Sequence, residues 1–346
     1  MDVSLMVAGG SGTQIRDLVD LAVRAEAAGA YGIYVPEAWR SGFVAPTAMA
    51  AATRRVRIGA YVLNAHARTP WVAGLAAVDL DEFSGGRLTL GVGSGNRVTN
   101  ESYQGVPVVR PLQKMRDYLS VLRSVTSARL GERVDVPGER HSVDGWHSQV
   151  NPVRSRIPIV LAATSPRMVE LAAELADGIA LGSLQSVDFV GGIARRCKTN
   201  SPREFRVVTS MFIAVDEDRD VAREAAREAV LNLFAGKPHP HYESLLRQQG
   251  YDAVADGILD AVAAGDPPRA RLAIADEVID SLTIAGTPEE CADRISDYRV
   301  VADELVLVNA AGMRYAASSS DRDSAAAQLD SFDPLLDFLA LGLHTP

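Results

Sequence analysis

The sequence predicts an α/β fold, a (β/α)8 TIM barrel with insertions, on three observations. Short β-branched runs alternate with amphipathic helical stretches along the chain, the pattern of a parallel sheet with crossover helices. Eight such runs can be placed. The length of 346 residues accommodates one barrel of about 250 residues together with loop insertions.

Residues 3–7 open as a strand, and residues 13–28 follow as a helix with Ile15, Leu18, Val19, Ala22 and Val23 at helical spacing and Gly29 past its end. Residues 32–36 and 57–63 form the second and third strands, with a short helix over 46–52 between them. Thr69-Pro70 starts the next helix, supplying an N-cap hydroxyl and a proline at the first helical position. Residues 88–90 are the fourth strand and lead into Gly91-Val92-Gly93-Ser94-Gly95; a helix over 111–125 then places Leu112, Met115, Leu119 and Leu122 on one face. Residues 157–162, 178–181, 206–215 and 304–308 supply the fifth to eighth strands, with helices over 166–175 and 216–234.

Two stretches interrupt the rhythm. Within 131–157, Pro137-Gly138 and Asp144-Gly145 are turn signals for a surface hairpin. Within 236–275, Lys237-Pro238-His239-Pro240-His241 and Gly265-Asp266-Pro267-Pro268 frame a helical insertion, read as lid or interface material. Ser318-Ser319-Ser320 reads as an exposed turn. The expectation is a single domain, 1–346, with insertions at 131–157 and 236–275.

Composition narrows the function. A net charge of −9 gives no support to nucleic-acid binding, which needs Lys and Arg gathered on one face; a small-molecule substrate is expected instead. No stretch approaches the roughly 18 apolar residues of a membrane span, and the N-terminus lacks the basic flank and apolar run of a signal peptide, so the cytoplasm is the expected compartment. Cys197 and Cys291 lie far apart in helical stretches and read as packed thiols. The six histidines form no ligand set, so no metal is expected. Neither a Gly-x-Ser-x-Gly elbow nor a Walker sequence is present.

Active sites of such barrels lie at the C-terminal ends of the strands. There the chain carries Pro36-Glu37-Ala38-Trp39-Arg40, Tyr61-Val62-Leu63-Asn64-Ala65-His66, Gly93-Ser94-Gly95-Asn96-Arg97-Val98-Thr99-Asn100-Glu101 and Ala163-Thr164-Ser165-Pro166-Arg167. The glycines at 91, 93 and 95 lack Gly-x-Gly-x-x-Gly spacing and have no helix directly behind them, which argues against a Rossmann fold. They suit the close approach of a flat ring to the backbone, or a plain tight turn. At Ala163-Thr164-Ser165 a strand gives way to a helix, whose free N–H groups and dipole face an anion such as a phosphate; the alternative is that Ser165 is an N-cap alone. Glu37, a carboxylate at an apolar strand end, suits proton transfer; the alternative is an ion pair with Arg40 or Arg68. Trp39 is placed to stack on a substrate, or simply to pack.

Together the motifs resemble the luciferase-like superfamily, in particular its branch of coenzyme F420-dependent reductases and dehydrogenases. The resemblance rests on Ser84-Gly85-Gly86-Arg87-Leu88-Thr89-Leu90-Gly91-Val92-Gly93, on Ile157-Pro158-Ile159-Val160-Leu161-Ala162-Ala163 with Ala176-Asp177-Gly178, and on Ile284-Ala285-Gly286-Thr287-Pro288-Glu289-Glu290. Pro36-Glu37-Ala38 and Arg68-Thr69-Pro70 fit the same branch. It implies a cofactor ring across the barrel mouth, backed by a non-prolyl cis peptide that maps to Tyr61-Val62. Asn64 and Asn100 match positions that hydrogen-bond the cofactor, Gly93 lies beside the ring, and Ala163, Thr164, Ser165 and Gly182 match the phosphate loop. Related sugar and alcohol dehydrogenases place a histidine after strand two and a glutamate after strand four as an acid–base pair; here Glu37 and Asn96 stand there as the catalytic candidates.

The reading that follows is hydride transfer between coenzyme F420 and a small organic substrate, with reduction of a C=N or C=C bond favoured over alcohol oxidation. One alternative is an FMN-dependent two-component monooxygenase served by a partner flavin reductase. The other is a non-catalytic flavin-binding barrel. Basic residues Arg97, Arg167, Arg195, Arg196 and Lys198 fit the anionic tail of the deazaflavin. The resemblance also implies a homodimer.

Overall fold

The computed structural model of the protein describes residues 1–10, 12–234, 240–316 and 322–342; Lys237, His239 and the serines at 318–320 lie outside them. The backbone divides into two compact units, Tyr31–Ala180 with Arg195–Val208, and Met1–Ala30 with Leu181–Ala194 and Thr209–Pro346.

In the first unit the strand Gly32–Val35 pairs in parallel with Arg57–Ala60, and Leu90–Gly93 pairs in parallel both with Leu63–Asn64 and with Ile159–Ala162. Ile159–Ala162 continues in parallel to Gly178–Leu181. These strands are almost continuously buried, as parallel strands covered by helices on one side and core on the other require. The third strand, read from the sequence as one run over 57–63, is broken into Arg57–Ala60 and Leu63–Asn64. Its apolar residues do not report the break, because both halves remain in the core.

Several family-like motifs have a mechanical reason here. Arg87 donates to the carbonyls of Ser84, Val56, Ala50 and Thr53 and to the Thr53 hydroxyl, fastening the turn at Ser84–Gly86 to the end of the helix Val44–Ala52. Gly85 and Gly86 in that turn have φ of 70° and 81°, where a side chain is disfavoured. Asp177 accepts from Arg156, Arg123 and the Ile159 backbone N–H, binding neighbouring strand starts together. The expected hairpin within 131–157 is present as Arg133–Val136 antiparallel to Val143–His147.

In the second unit Asp2–Met6 pairs in parallel with Glu304–Asn309, and Ile213–Val215, the end of the long strand Arg206–Val215, pairs in parallel with Ile284–Gly286. That last strand, three residues long, is not among the eight placed from the sequence; three residues carry no period to detect. The turn after it forms a capping box: Glu290 accepts from the Thr287 N–H (3.0 Å) while Thr287 Oγ1 accepts from the Glu290 N–H (3.5 Å). The helix Arg219–Asn232 turns an alanine stripe, Ala222, Ala225, Ala226 and Ala229, into a core with Leu245, Leu246, Ile258, Ile279 and Leu282. The expected 236–275 insertion contributes the helices Pro240–Gln248, Asp252–Ala263 and Pro267–Leu272. Among the described residues no helix is long and apolar enough to cross a membrane.

Candidate active site

The strand ends of the first unit converge on a buried hydrogen-bond network. The Tyr61–Val62 peptide is cis, at the break in the third strand. Beside it Asn64, 3% exposed, donates from Nδ2 to Asn100 Oδ1 (2.7 Å), and Asn100, fully buried, donates from its own Nδ2 to the Ser94 carbonyl (2.8 Å). Asn64 Oδ1 accepts from the His66 N–H (2.9 Å). The two asparagines, singled out separately in the sequence, are therefore one unit that ties the loop after Leu63–Asn64 to the loop after Leu90–Gly93.

The glycine run fits around that unit. A Cβ on Gly93 would meet Val62 Cγ2 at 2.7 Å, and one on Gly95 would meet the Asn64 side chain at 2.5 Å; Gly95 also has φ of 66°. The space beside these glycines, assigned from the sequence to a flat ring or a tight turn, is thus occupied by Val62 and Asn64. The expectation that no helix follows directly is corrected. After Gly95 a short helical segment begins and passes into the π-helix Thr99–Tyr103, a single wide turn of the type often found at functional sites. It brings Asn100 inward.

Glu37 is held from four directions. Oε1 accepts from Arg68 Nη2 (2.6 Å) and the Gly42 N–H (3.0 Å), and Oε2 accepts from Arg68 Nη1 (2.8 Å) and the Asn64 N–H (2.9 Å). A carboxylate offers about four lone-pair sites, so all are used. Of the two readings made from the sequence, the ion pair with Arg68 is formed. It is bidentate, with the side chains 22% and 11% exposed, and Arg68 also lies over the Phe43 ring at 5.4 Å. Asn96 Oδ1 accepts from the Val98 N–H (2.7 Å), an Asx turn that starts the π-helical segment.

Ser165 occupies the N-cap of the helix Pro166–Leu175, yet its side chain makes no capping bond. Its hydroxyl, exposed next to the partly buried Thr164, is available for an anion at that helix start. Ala163 closes the strand side, its N–H donating to the Ala180 carbonyl (3.3 Å). Gly182 lies in the other unit, just past Gly178–Leu181, and a Cβ there would meet nothing within 4 Å. Trp39 is 69% exposed, as a stacking platform requires. Of the basic residues, Arg97 pairs with Glu101 (3.0 Å) and Arg196 with Glu170.

The sequence reading passed over a group of side chains around the helix Pro111–Ser127. His66 is 5% exposed with neither ring nitrogen hydrogen-bonded, and the Tyr118 hydroxyl and His141 Nε2 are likewise buried without partners. Burial, then the positive charge of Lys114, pushes the His66 imidazole below its ordinary value of 6.5, with His141 and Arg140 adding to the shift and the Ser94 carbonyl opposing it. His141 is lowered chiefly by burial and Lys114, Asp117 opposing, and burial lowers Lys114 itself, with Arg140 adding. Burial raises Tyr118 well above the ordinary phenol range. No sequence signal marks these residues, since they come from separate loops and a helix.

A parallel α/β scaffold with a cis peptide at the Arg57–Ala60 strand end and a buried asparagine pair beside it belongs to the luciferase-like class of TIM barrels. Residues 3–303 match the family described as luciferase-like monooxygenase, and the chain is a member of that family. It is 33% identical over 259 residues, 72% of this chain and 76% of the relative, to the 5,10-methylenetetrahydromethanopterin reductase of Archaeoglobus fulgidus. It is 29% identical over 313 residues, 84% of this chain and 90% of the relative, to a putative coenzyme F420-dependent oxidoreductase of Mycobacterium tuberculosis. The solved structure of the F420-dependent tetrahydromethanopterin reductase of Methanopyrus kandleri superposes with a TM-score of 0.76 at 20% identity, covering 98% of this chain and 100% of that one. This likeness carries the expected fold class.

Proposed function

We propose that the protein is a coenzyme F420-dependent oxidoreductase that transfers a hydride between the deazaflavin and a small organic substrate, and that the bond it reduces is C=N or C=C. The names of the relatives support the cofactor, and one observation carries the choice of bond. Glu37 stands where the resemblance puts one member of the dehydrogenase acid–base pair, and its four acceptor positions are filled by Arg68, Gly42 and Asn64. A carboxylate so engaged has no acceptor position left to face a substrate. Asn96, at the other position, has no titratable group.

The bound deazaflavin supplies the hydride chemistry itself. The chain supplies the seat: Tyr61, Val62, Asn64, Gly93 and Asn100 position the ring, while Ala163, Thr164 and Ser165 face the phosphate with the start of the helix Pro166–Leu175. Ser165's uncapped hydroxyl fits that role, since an N-cap serine without a backbone partner leaves both its oxygen and the first N–H groups for an anion. Glu37 acts as a positioning residue, holding the Asn64 N–H and, through it, the asparagine pair. Trp39 stacks on the substrate. A cationic C=N bond accepts a hydride without a proton from the protein, and a C=C bond takes its proton from water. The active form is read as a homodimer in the cytoplasm.

The family description, a monooxygenase, supports a second reading in which reduced FMN comes from a partner reductase. Titrating the apo-protein with F420 and with FMN, followed by cofactor fluorescence, separates the two. Preferential F420 uptake with turnover of an imine or enone acceptor is expected. Uptake of FMN alone overturns the proposal.

A further inference from the structure

The loop Gly182–Ser186 leaves the C-terminal end of the strand Gly178–Leu181, the side on which barrels of this fold build their sites. Leu184 in this loop has φ of 67°, a left-handed conformation that a residue with a side chain keeps only where its surroundings over-determine it. The surroundings come from the 236–275 insertion. Leu184 is fully buried in one core with Leu245 and Leu246. Gln249, the residue after the helix Pro240–Gln248, clamps the main chain on both sides of Gln185. Its Oε1 accepts from the Ser186 N–H (2.8 Å) and hydroxyl (3.1 Å), and its Nε2 donates to the carbonyls of Leu184 (2.8 Å) and Leu245 (3.0 Å). An amide has two donors and two acceptor positions, so this one is fully used. A carboxylate lacks the donors that the two carbonyls need. Gln249 is itself held in place, because Gly250, with φ of 83°, ends its helix and the Tyr251 N–H returns to the Leu246 carbonyl (3.0 Å). The Tyr298 hydroxyl adds a bond to the Gln185 carbonyl (2.9 Å). All these groups lie in the second unit. Gly182 alone is left open, with nothing within 4 Å of the place a Cβ would take.

We propose that Gln249 is a positioning residue for the phosphate of the cofactor: by clamping Leu184 and Ser186 it fixes the path of the loop and so the place of Gly182. The insertion then tunes cofactor affinity through the main chain, a role beyond that of lid or interface. The inference rests on the reading that Gly182 belongs to the phosphate seat. It does not depend on which flavin is bound, since F420 and FMN both carry a phosphate on the ribityl chain.

The test compares each cofactor with its dephosphorylated form, F420 with the deazaflavin lacking the phosphate and FMN with riboflavin, by fluorescence titration of the full chain. The unsubstituted protein is expected to prefer the phosphorylated member. Q249M keeps the side-chain volume and removes the clamp; it is expected to weaken binding of the phosphorylated member about tenfold and to leave the other within about twofold. S186A, which deletes one contact of the clamp, is expected to shift the preference in the same direction by less, and it reads the clamp even if Q249M does not fold. Y251F removes the bond from the Tyr251 hydroxyl to Ser281 Oγ (2.7 Å), which ties the insertion to the helix Asp276–Leu282 without touching the loop, and is expected to leave the preference unchanged. A preference that Q249M does not reduce, or that Y251F reduces equally, overturns the proposal alone. No preference in the unsubstituted protein removes the phosphate seat and the proposal with it. A preference confined to the FMN pair and abolished by Q249M upholds the clamp and overturns F420 as the cofactor.

Discussion

Two polar regions lie side by side in the same unit and are built on opposite principles. The Glu37–Arg68–Asn64–Asn100 network satisfies every carboxylate oxygen it contains and ties three loops together. The neighbouring group of His66, Tyr118 and His141 leaves buried ring nitrogens and a hydroxyl without partners. A satisfied buried network stabilises a shape; an unsatisfied one costs free energy until something completes it. The first region therefore reads as scaffold, and the second contributes less to stability. Substitutions in the two are expected to differ accordingly in size.

The largest effect is expected from E37Q, which removes the charge opposite a mostly buried Arg68. A destabilisation of about 2–4 kcal/mol, short of a fully buried pair because both side chains keep some solvent, is the expected outcome in urea unfolding. The double variant E37M/R68M is expected to lose less than E37Q alone. Equal loss in both would mean that the pair contributes through its fit and not its charge.

G95A ranks next. It places a Cβ in a left-handed conformation against Asn64 and is expected to cost about 1–3 kcal/mol. Cofactor fluorescence titration is expected to show weakened uptake as well; uptake unaffected by G95A would separate the asparagine pair from the ring seat.

Around His66 the expected effect is smaller. H66F exchanges a buried imidazole for an apolar ring and is expected to change stability in urea unfolding by less than about 1 kcal/mol, in either direction. A loss comparable to that of E37Q would show that His66 is structural.

The smallest effect concerns pH. His66 and His141 have folded pKa values depressed below the ordinary 6.5, so the unfolded chain binds more protons than the folded one as pH falls through that value. Stability from these groups is present above about 6.5 and declines below it, until the lowered folded values are passed. Thermal unfolding across this window is expected to show a decline that H66F diminishes.

Much of the scaffold is legible from periodicity and turn chemistry. The strands Gly178–Leu181 and Arg206–Val215 coincide with their expected bounds, and the helices starting at Pro70, Pro111 and Pro166 begin where the prolines place them. The break at Tyr61–Val62 was implied by resemblance and not by pattern, since residues on both sides are equally apolar. The three-residue strand Ile284–Gly286 was not placed, because it is too short for a period, and the helix Val187–Asn200 was read only as a helical stretch around Cys197, without bounds.

Of the candidate site, residue types at strand ends were readable, but their partners were not. Glu37 carried two meanings in the sequence, proton carrier or ion-pair member, and the choice depended on where Arg68 and the Asn64 N–H lie. His66 lay in a strand-end loop without an assigned role, because its burial depends on elements distant in sequence.

By itself the sequence determined the alternation of strands and helices, the caps that start and stop them, and the family-like motifs, because these depend on neighbours within a few residues. Only the tertiary structure decided which polar atoms are satisfied. Burial and hydrogen bonding are properties of atoms brought together from separate loops, and they distinguish a finished clamp at Glu37 from the unsatisfied polar atoms of His66, Tyr118 and His141.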